Sequence, residues 1–149
     1  MTRKKWWNLE LEHKPDFEQA MKRIYAWYEQ EIIDRPPIRF AAHNADFVEK
    51  QFAGRNWASL KDRWFDAAYQ VEFFLESLKQ EVFNAETFPV FWPNLGPEVY
   101  SAYYGCELTY QEVTSYANPI IHQKEDVKKL NLDYHNEYWK KIDELTDLA

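Results

Sequence analysis

Two short segments hold the side chains whose types are best suited to chemistry. His43 and Asn44 follow the run Ile38-Arg39-Phe40-Ala41-Ala42, and Trp92, Asn94 and Gly96 close the run Phe88-Pro89-Val90-Phe91. An imidazole beside an amide would orient a substrate carboxylate or carbonyl, because each group both donates and accepts hydrogen bonds. Asn94 has the same versatility, Trp92 offers a flat apolar ring, and Gly96 admits close backbone approach. Each segment also has a plainer reading. Residues 43–44 would be a polar dipeptide capping nearby backbone, and residues 92–96 a turn serving only a strand-to-helix junction.

The remaining reactive types are dispersed. His13, His122 and His135 have no partner at an HxH or HxxxH spacing, so each reads as a surface or helix-end residue and this chain alone offers no metal site. Cys106 is the only cysteine, which rules out an intrachain disulfide and a cysteine-based zinc site, and its simplest role is packing. No Ser-His-Asp or Cys-His constellation follows from spacing. Glu10 with Glu12, and Asp143 with Glu144, are carboxylate pairs of the solvated-face type. With only three glycines, Gly54, Gly96 and Gly105, neither a dinucleotide fingerprint nor a Walker phosphate loop can be written. No cofactor is therefore bound by a motif in this chain.

Charge narrows the partners. Eighteen basic against 25 acidic side chains leave a formal charge of −7, so a nucleic-acid partner recruited by counterion release is disfavoured. No apolar stretch long enough to span a bilayer occurs, and the start Met-Thr-Arg-Lys-Lys-Trp-Trp lacks the apolar core of a signal peptide, so a cytoplasmic location and no membrane partner are expected. Arg3-Lys4-Lys5-Trp6-Trp7 reads as a tethering arm that lays its tryptophans on a groove, and the 18% aromatic content suits subunit contacts as well as core.

Several elements must position these residues. Phe17, Met21, Ile24, Tyr28 and Ile32 recur at helical steps, predicting a helix from Asp16 to Ile33 that stops before Pro36-Pro37. Residues 38–42 then read as a short strand. Ser59 is an N-cap with Asp62 three residues on, and Leu60, Trp64, Ala68, Val71, Leu75, Leu78 and Val82 predict one long helix. Phe65, Tyr69 and Phe73 form a second apolar line on it, which predicts packing on two sides. Thr87 to Gly96 reads as a strand ending in a loop, Glu98 to Tyr104 as a short helix leaving through Gly105, and Thr114 to Ile121 as an extended piece. Tyr134, Tyr138, Ile142 and Leu145 predict a final helix. Without repeat or linker, residues 1–149 read as a single unit, and strands alternating with helices predict parallel strands in an α/β architecture.

Arg35-Pro36-Pro37-Ile38, the helix from Ser59 to Phe83, and above all Phe88 to Pro119, with Trp92-Pro93-Asn94-Leu95-Gly96-Pro97 and Gly105-Cys106-Glu107, carry a family resemblance. The chain resembles the amino-terminal part of the uroporphyrinogen decarboxylase-like superfamily, which also holds corrinoid and thiol methyltransferases. The resemblance covers residues 17 to 148. It implies a partial (β/α)8 TIM barrel, with N-terminal helices and the first βα units, since a complete barrel needs about 250 residues.

Within that resemblance the carboxyl ends of the strands place His43, Asn44, Trp92, Asn94 and Gly96 in a substrate pocket. Two departures bear on the reaction. The loop Phe40 to Asp46 has no arginine of the kind the decarboxylases use for their acidic tetrapyrrole, and Asn94 stands where they carry the key aspartate. An amide supplies no negative charge for a cationic pyrrole intermediate, so the methyltransferase side is the better expectation. Zinc or corrinoid would belong to a complete barrel and not to this segment. The expected partners are a second chain completing the barrel or further copies of this one, with a small-molecule substrate. A different class of reading is a non-catalytic interaction module that pairs through aromatic helix faces and sheet edges.

Overall fold

The computed structural model describes residues 9–42 and 45–149 and divides into two compact units. Unit 1 comprises Met1–Ala53 and Leu75–Val90, and unit 2 comprises Gly54–Phe74 and Phe91–Ala149.

Unit 1 contains helix α1 (Phe17–Tyr28), strand β1 (Arg39–Ala42), helix α2 (Ala45–Phe52) and strand β2 (Val82–Ala85). In α1, Phe17, Ala20 and Ala26 are buried, and the Phe17 ring meets Phe88 edge to face at 5.2 Å. The helix stops at Tyr28 instead of running to Ile33. Gln30 adopts φ 62° and the Glu31 N–H turns back to the Ala26 carbonyl, a left-handed exit that ends the helix before the prolines act. Ile32 and Ile33 are consequently exposed.

β1 and β2 form a two-stranded antiparallel sheet, with Arg39 opposite Ala85, Phe40 opposite Asn84, Ala41 opposite Phe83 and Ala42 opposite Val82. A second antiparallel pair in unit 2 joins β3 (Leu108–Tyr110) to β4 (Ser115–Ala117). The expectation of parallel strands is thus corrected: both sheets are antiparallel, and the described residues form no closed barrel. What the sequence pattern could not separate was a strand feeding a crossover helix from a strand whose partner returns after three intervening helices. The mixed helix and strand content stands.

The predicted long helix is two helices, α3 (Leu60–Phe65) and α4 (Ala67–Leu78). Asp66 breaks it. Its backbone leaves the helical region at ψ 88°, its carboxylate accepts the Tyr69 N–H at 2.9 Å, and the Trp57 indole N–H donates to it at 3.0 Å. Asp66 therefore caps a new helix in mid-pattern. Gln70 supplies part of the compensation by donating its side-chain amide to the stranded Trp64 carbonyl at 2.5 Å. At the start of α3 the Asp62 N–H donates to the Ser59 hydroxyl at 3.1 Å, as the sequence predicts.

Unit 2 also contains α5 (Val99–Ala102), a 3-10 helix over Lys124–Lys129 and α6 (Glu137–Leu148). Its core gathers Ala67, Leu95, Ala102, Leu108, Tyr110, Tyr138 and Leu145, against which Trp64, Phe65 and Phe91 pack. Phe65 stands edge to face with both Tyr110 and Tyr138, at 6.0 and 5.6 Å. Tyr138 and Leu145 come from the predicted stripe of α6, whereas Tyr134 precedes the helix and is exposed. α6 starts where Asn136 accepts the Trp139 N–H at 2.8 Å.

Candidate functional site

The segment Phe91 to Gly96 joins no strand ladder among the described residues, yet its burial alternates in period two. Phe91 is half-buried, Trp92 is 79% exposed, Pro93 is half-buried, Asn94 is exposed and Leu95 is fully buried. This is the alternation of a strand with one solvated face. The prolines at 89 and 93 remove two donors, so the run cannot complete a regular ladder.

Its carboxyl end is held by three side chains. The Gly96 N–H donates to the Asn94 side-chain oxygen at 2.8 Å, closing an Asx turn. The Ser115 hydroxyl donates to the Leu95 carbonyl at 3.3 Å, and the Gln70 amide donates to the Asn94 carbonyl at 3.3 Å. Gly96 has φ 101°, and a Cβ there would lie 1.7 Å from the Ser115 hydroxyl oxygen, so both conformation and space demand glycine. Glycine here serves protein packing against Ser115. The chain then enters α5, with the Val99 N–H on the Gly96 carbonyl at 3.3 Å, while Glu98 accepts the Ala117 N–H.

The site residues predicted from sequence divide accordingly. Trp92, Asn94 and Gly96 share this turn, with the Asn94 oxygen committed to the backbone and its Nδ2 side and the Trp92 ring left on the exposed face. Such a surface can stack on a flat ligand and donate a hydrogen bond to it. His43 and Asn44 lie outside the described residues, as does the Arg3–Trp7 arm. Cys106 is a half-buried free thiol. Among the described residues, no group of three or more His, Cys, Asp or Glu side chains converges as a metal site requires, and no helix is long and apolar enough to cross a membrane.

Sequence reasoning passed over two polar clusters. In unit 1 the Glu86 side chain, 2% exposed, accepts from both Arg35 guanidinium nitrogens at 2.6 and 2.8 Å, from Arg23 at 3.1 Å and from the Ile38 N–H at 2.7 Å. Arg23 also grips Asp34 through two bonds of 2.8 and 2.7 Å. Burial alone would push the Glu86 carboxyl up, but bonds from Arg35, the Ile38 N–H and Arg23 outweigh it, and the group sits below the usual carboxylate range. Hydrogen bonds from Arg23 hold the Asp34 carboxyl at about 2. The guanidiniums neutralise each other's counter-charges here, which marks an architectural clamp more than a binding site. Arg35 was visible in its Arg-Pro-Pro motif, but nothing local announced Glu86, 51 residues away.

In unit 2, Lys61 pairs with Glu137 at 2.7 Å and lies over the Phe65 and Tyr138 rings at 5.3 and 5.4 Å. Burial opposes its charge, yet Glu137 outweighs that and the ammonium is raised. The Tyr138 hydroxyl accepts the Leu108 N–H at 3.1 Å. Nearby, the buried Tyr110 hydroxyl has no hydrogen-bond partner, and burial, followed by Tyr138 and Glu137, pushes its ionisation well up.

Compared with models of protein families, with curated proteins and with solved structures, the chain matches none.

Proposed function

We propose that the chain is the amino-terminal portion of a uroporphyrinogen decarboxylase-like barrel protein, from the branch that transfers methyl groups to or from a corrinoid or thiol, and that it supplies substrate-pocket residues there. The observation carrying this reading is the segment Phe91 to Ala102. A run with strand-like alternation, a turn fixed by Asn94 and Ser115, and helix α5 follow one another, and the exposed Trp92 ring sits beside the turn. In barrel enzymes, ligands are met where a strand gives way to its helix. The resemblance through Trp92-Pro93-Asn94-Leu95-Gly96-Pro97 supports this choice of family.

Asn94 directs the choice of branch. A decarboxylase needs a carboxylate to balance a protonated pyrrole, whereas orientation of a neutral or anionic methyl acceptor asks only for a donor and a stacking face. In such a protein a metal held elsewhere in the barrel would supply the activation of the acceptor thiol. The described residues do not fit that metal, and the part assigned to this chain is to hold and orient the substrate through Trp92 and Asn94.

A difference-absorbance titration with hydroxocobalamin tests this, using the chain alone and mixed with a chain supplying the remaining barrel strands. Saturable binding is expected, weakened about three- to tenfold by Trp92→Ala, the order of one lost stacking contact. Binding indifferent to Trp92→Ala, or no binding in either sample, overturns the reading.

A second reading, an interaction module without chemistry, draws on unit 1. Trp27, Tyr28, Ile32, Ile33 and Phe40 are each more than half exposed there. Apolar surface of that kind marks association more often than catalysis.

A further inference from the structure

The two strand pairs treat their outer edges unequally. In an antiparallel strand the N–H and C=O of one residue point to the same side and alternate along the chain. In the β3–β4 pair, the Gln111 N–H donates to Thr114 and the Asn118 N–H to Glu107, so Leu108 in β3 and Ala117 in β4 point outward. One outward N–H on each strand is taken by a side chain: Leu108 by the Tyr138 hydroxyl and Ala117 by Glu98. In the β1–β2 pair, the Glu86 N–H donates to the Ile38 carbonyl and the Thr87 hydroxyl to the Phe40 carbonyl, so Phe83 and Ala85 point outward from β2. Their carbonyls are taken by Lys14, whose side chain is 1% exposed and donates to them at 3.1 and 2.5 Å. Side chains of the same unit therefore reach outward groups on three of the four edges.

The fourth edge is β1. By the same alternation Arg39 and Ala41 turn their N–H and C=O groups away from β2, and among the described residues these groups have no partner. Exposed strand edges are templates for another strand, and proteins that do not use them block them. Here side chains engage part of three edges, and among the described residues none engages the fourth.

We propose that β1 pairs antiparallel with β1 of a second copy of this chain across a two-fold axis centred on Phe40, making a four-stranded sheet in the order β2, β1, partner β1, partner β2. The outward groups fix the register. Arg39 faces the partner's Ala41, and Ala41 the partner's Arg39, as hydrogen-bonded pairs that exchange four backbone bonds. Phe40 faces its own copy in the closer, non-bonded position, where Cα atoms stand about 4.5 Å apart.

The side chains agree with that register. Arg39 lies opposite alanine and not its own copy, so no like charges meet directly. Ile38, Phe40 and Ala42 share one sheet face with Val82, and Ile38, Phe40 and Val82 are 51%, 56% and 57% exposed. Pairing would place these residues and their copies in one continuous apolar stripe. The partner is thus a second copy, self-complementary as a two-fold contact must be. This inference concerns assembly and stands whether or not the barrel reading holds.

Light scattering behind gel filtration on the full chain tests it, with Ala41→Pro as the disrupting variant. Proline removes only an outward N–H, so the β1–β2 ladder keeps its donors while pairing with a second copy is blocked. The wild type is expected to be a dimer, and Ala41→Pro is expected to raise the dissociation constant by at least about a hundredfold, for lost backbone bonds on both sides of the axis.

Disulfide trapping in a Cys106→Ser background reads the register independently of how Ala41→Pro folds. Phe40→Cys should cross-link into dimers under mild oxidation, because a Cα separation of about 4.5 Å falls within disulfide reach, and Arg39→Cys should not. A wild-type monomer, an assembly that survives Ala41→Pro, or cross-linking at Arg39→Cys in place of Phe40→Cys would each overturn the proposal. A monomer that instead binds a chain supplying further barrel strands would overturn it while leaving the barrel reading intact.

Discussion

The two units of this chain are held by different physics. In unit 1 the best-buried large side chains include Lys14 and Glu86, both ionic, and the β1–β2 pair is tied down by Lys14, Arg23, Arg35 and the Glu86 carboxylate. In unit 2 the centre is Leu95, Leu145, Ala102 and the rings of Phe65, Tyr110 and Tyr138. Directional ionic bonds fix one geometry and fail sharply when a partner is removed, whereas apolar contact is non-directional and fails in proportion to the volume lost. The strand pair with the open edge is the one fixed by charges.

The largest effects should come from deleting each unit's centre. Glu86→Ala would leave the Arg23 and Arg35 guanidiniums facing a buried void and cost about 3 to 5 kcal/mol, and Leu145→Ala should cost about 2 to 5 kcal/mol through its cavity. Amide hydrogen exchange separates them: Glu86→Ala should lower protection first in α1 and β2, Leu145→Ala first in α6. Identical protection losses across both units from either variant would erase the distinction drawn here.

The pH response should be of opposite sign. The Asp34 and Glu86 carboxyls lie below their unfolded values, so their contribution is complete above about pH 4 and is lost as pH falls, through about pH 2 for Asp34. The Tyr110 hydroxyl is raised, so unit 2 keeps its full contribution below about pH 10 and loses it at more alkaline pH. Exchange protection followed from pH 2 to 11 should therefore fail first in α1 at the acid end and first in α6 and β3 at the alkaline end. The reverse order would contradict the assignment of forces.

The smallest effect sharpens the same contrast. Tyr110→Phe removes a buried hydroxyl with no partner and should be neutral or stabilising by up to about 1 kcal/mol in a thermal melt. Tyr138→Phe, which strands the Leu108 N–H, should instead destabilise by about 1 to 3 kcal/mol.

What could be read from the sequence follows from range. The Ser59 cap, the stripe Tyr138 and Leu145, the Asn94–Gly96 turn and the positive φ of Gly105 are local, set by residues within a few positions, and they are present in the structure. The break at Asp66 is local too, but its aspartate falls between apolar residues at helical spacing, and only the bonds from Trp57 and Tyr69 reveal it as a cap. β2 was hidden in the tail of the expected helix because Val82 fits both periods, and its pairing with Arg39–Ala42 reaches across the whole stretch from residue 43 to residue 81. The strand-like run at 91–95 carried the right alternation without a ladder. Of the candidate site, the turn was legible. The ionic clamp around Glu86 was not, since each of its ligands lies far away in sequence.

Lys14 has a consequence for biosynthesis. Its ammonium meets the Phe83 and Ala85 carbonyls across 69 and 71 positions of chain. A ribosome releases residues in order, so α1 and β1 emerge long before the strand that will receive this ammonium, and the whole Gly54–Phe74 stretch of the other unit is made in between. Closing so long a loop carries an entropic cost that grows with its length and slows folding relative to neighbouring contacts. Until Ala85 is clear of the exit tunnel, unit 1 exists only as a nascent chain with its lysine still hydrated, open to chaperones and to premature strand pairing.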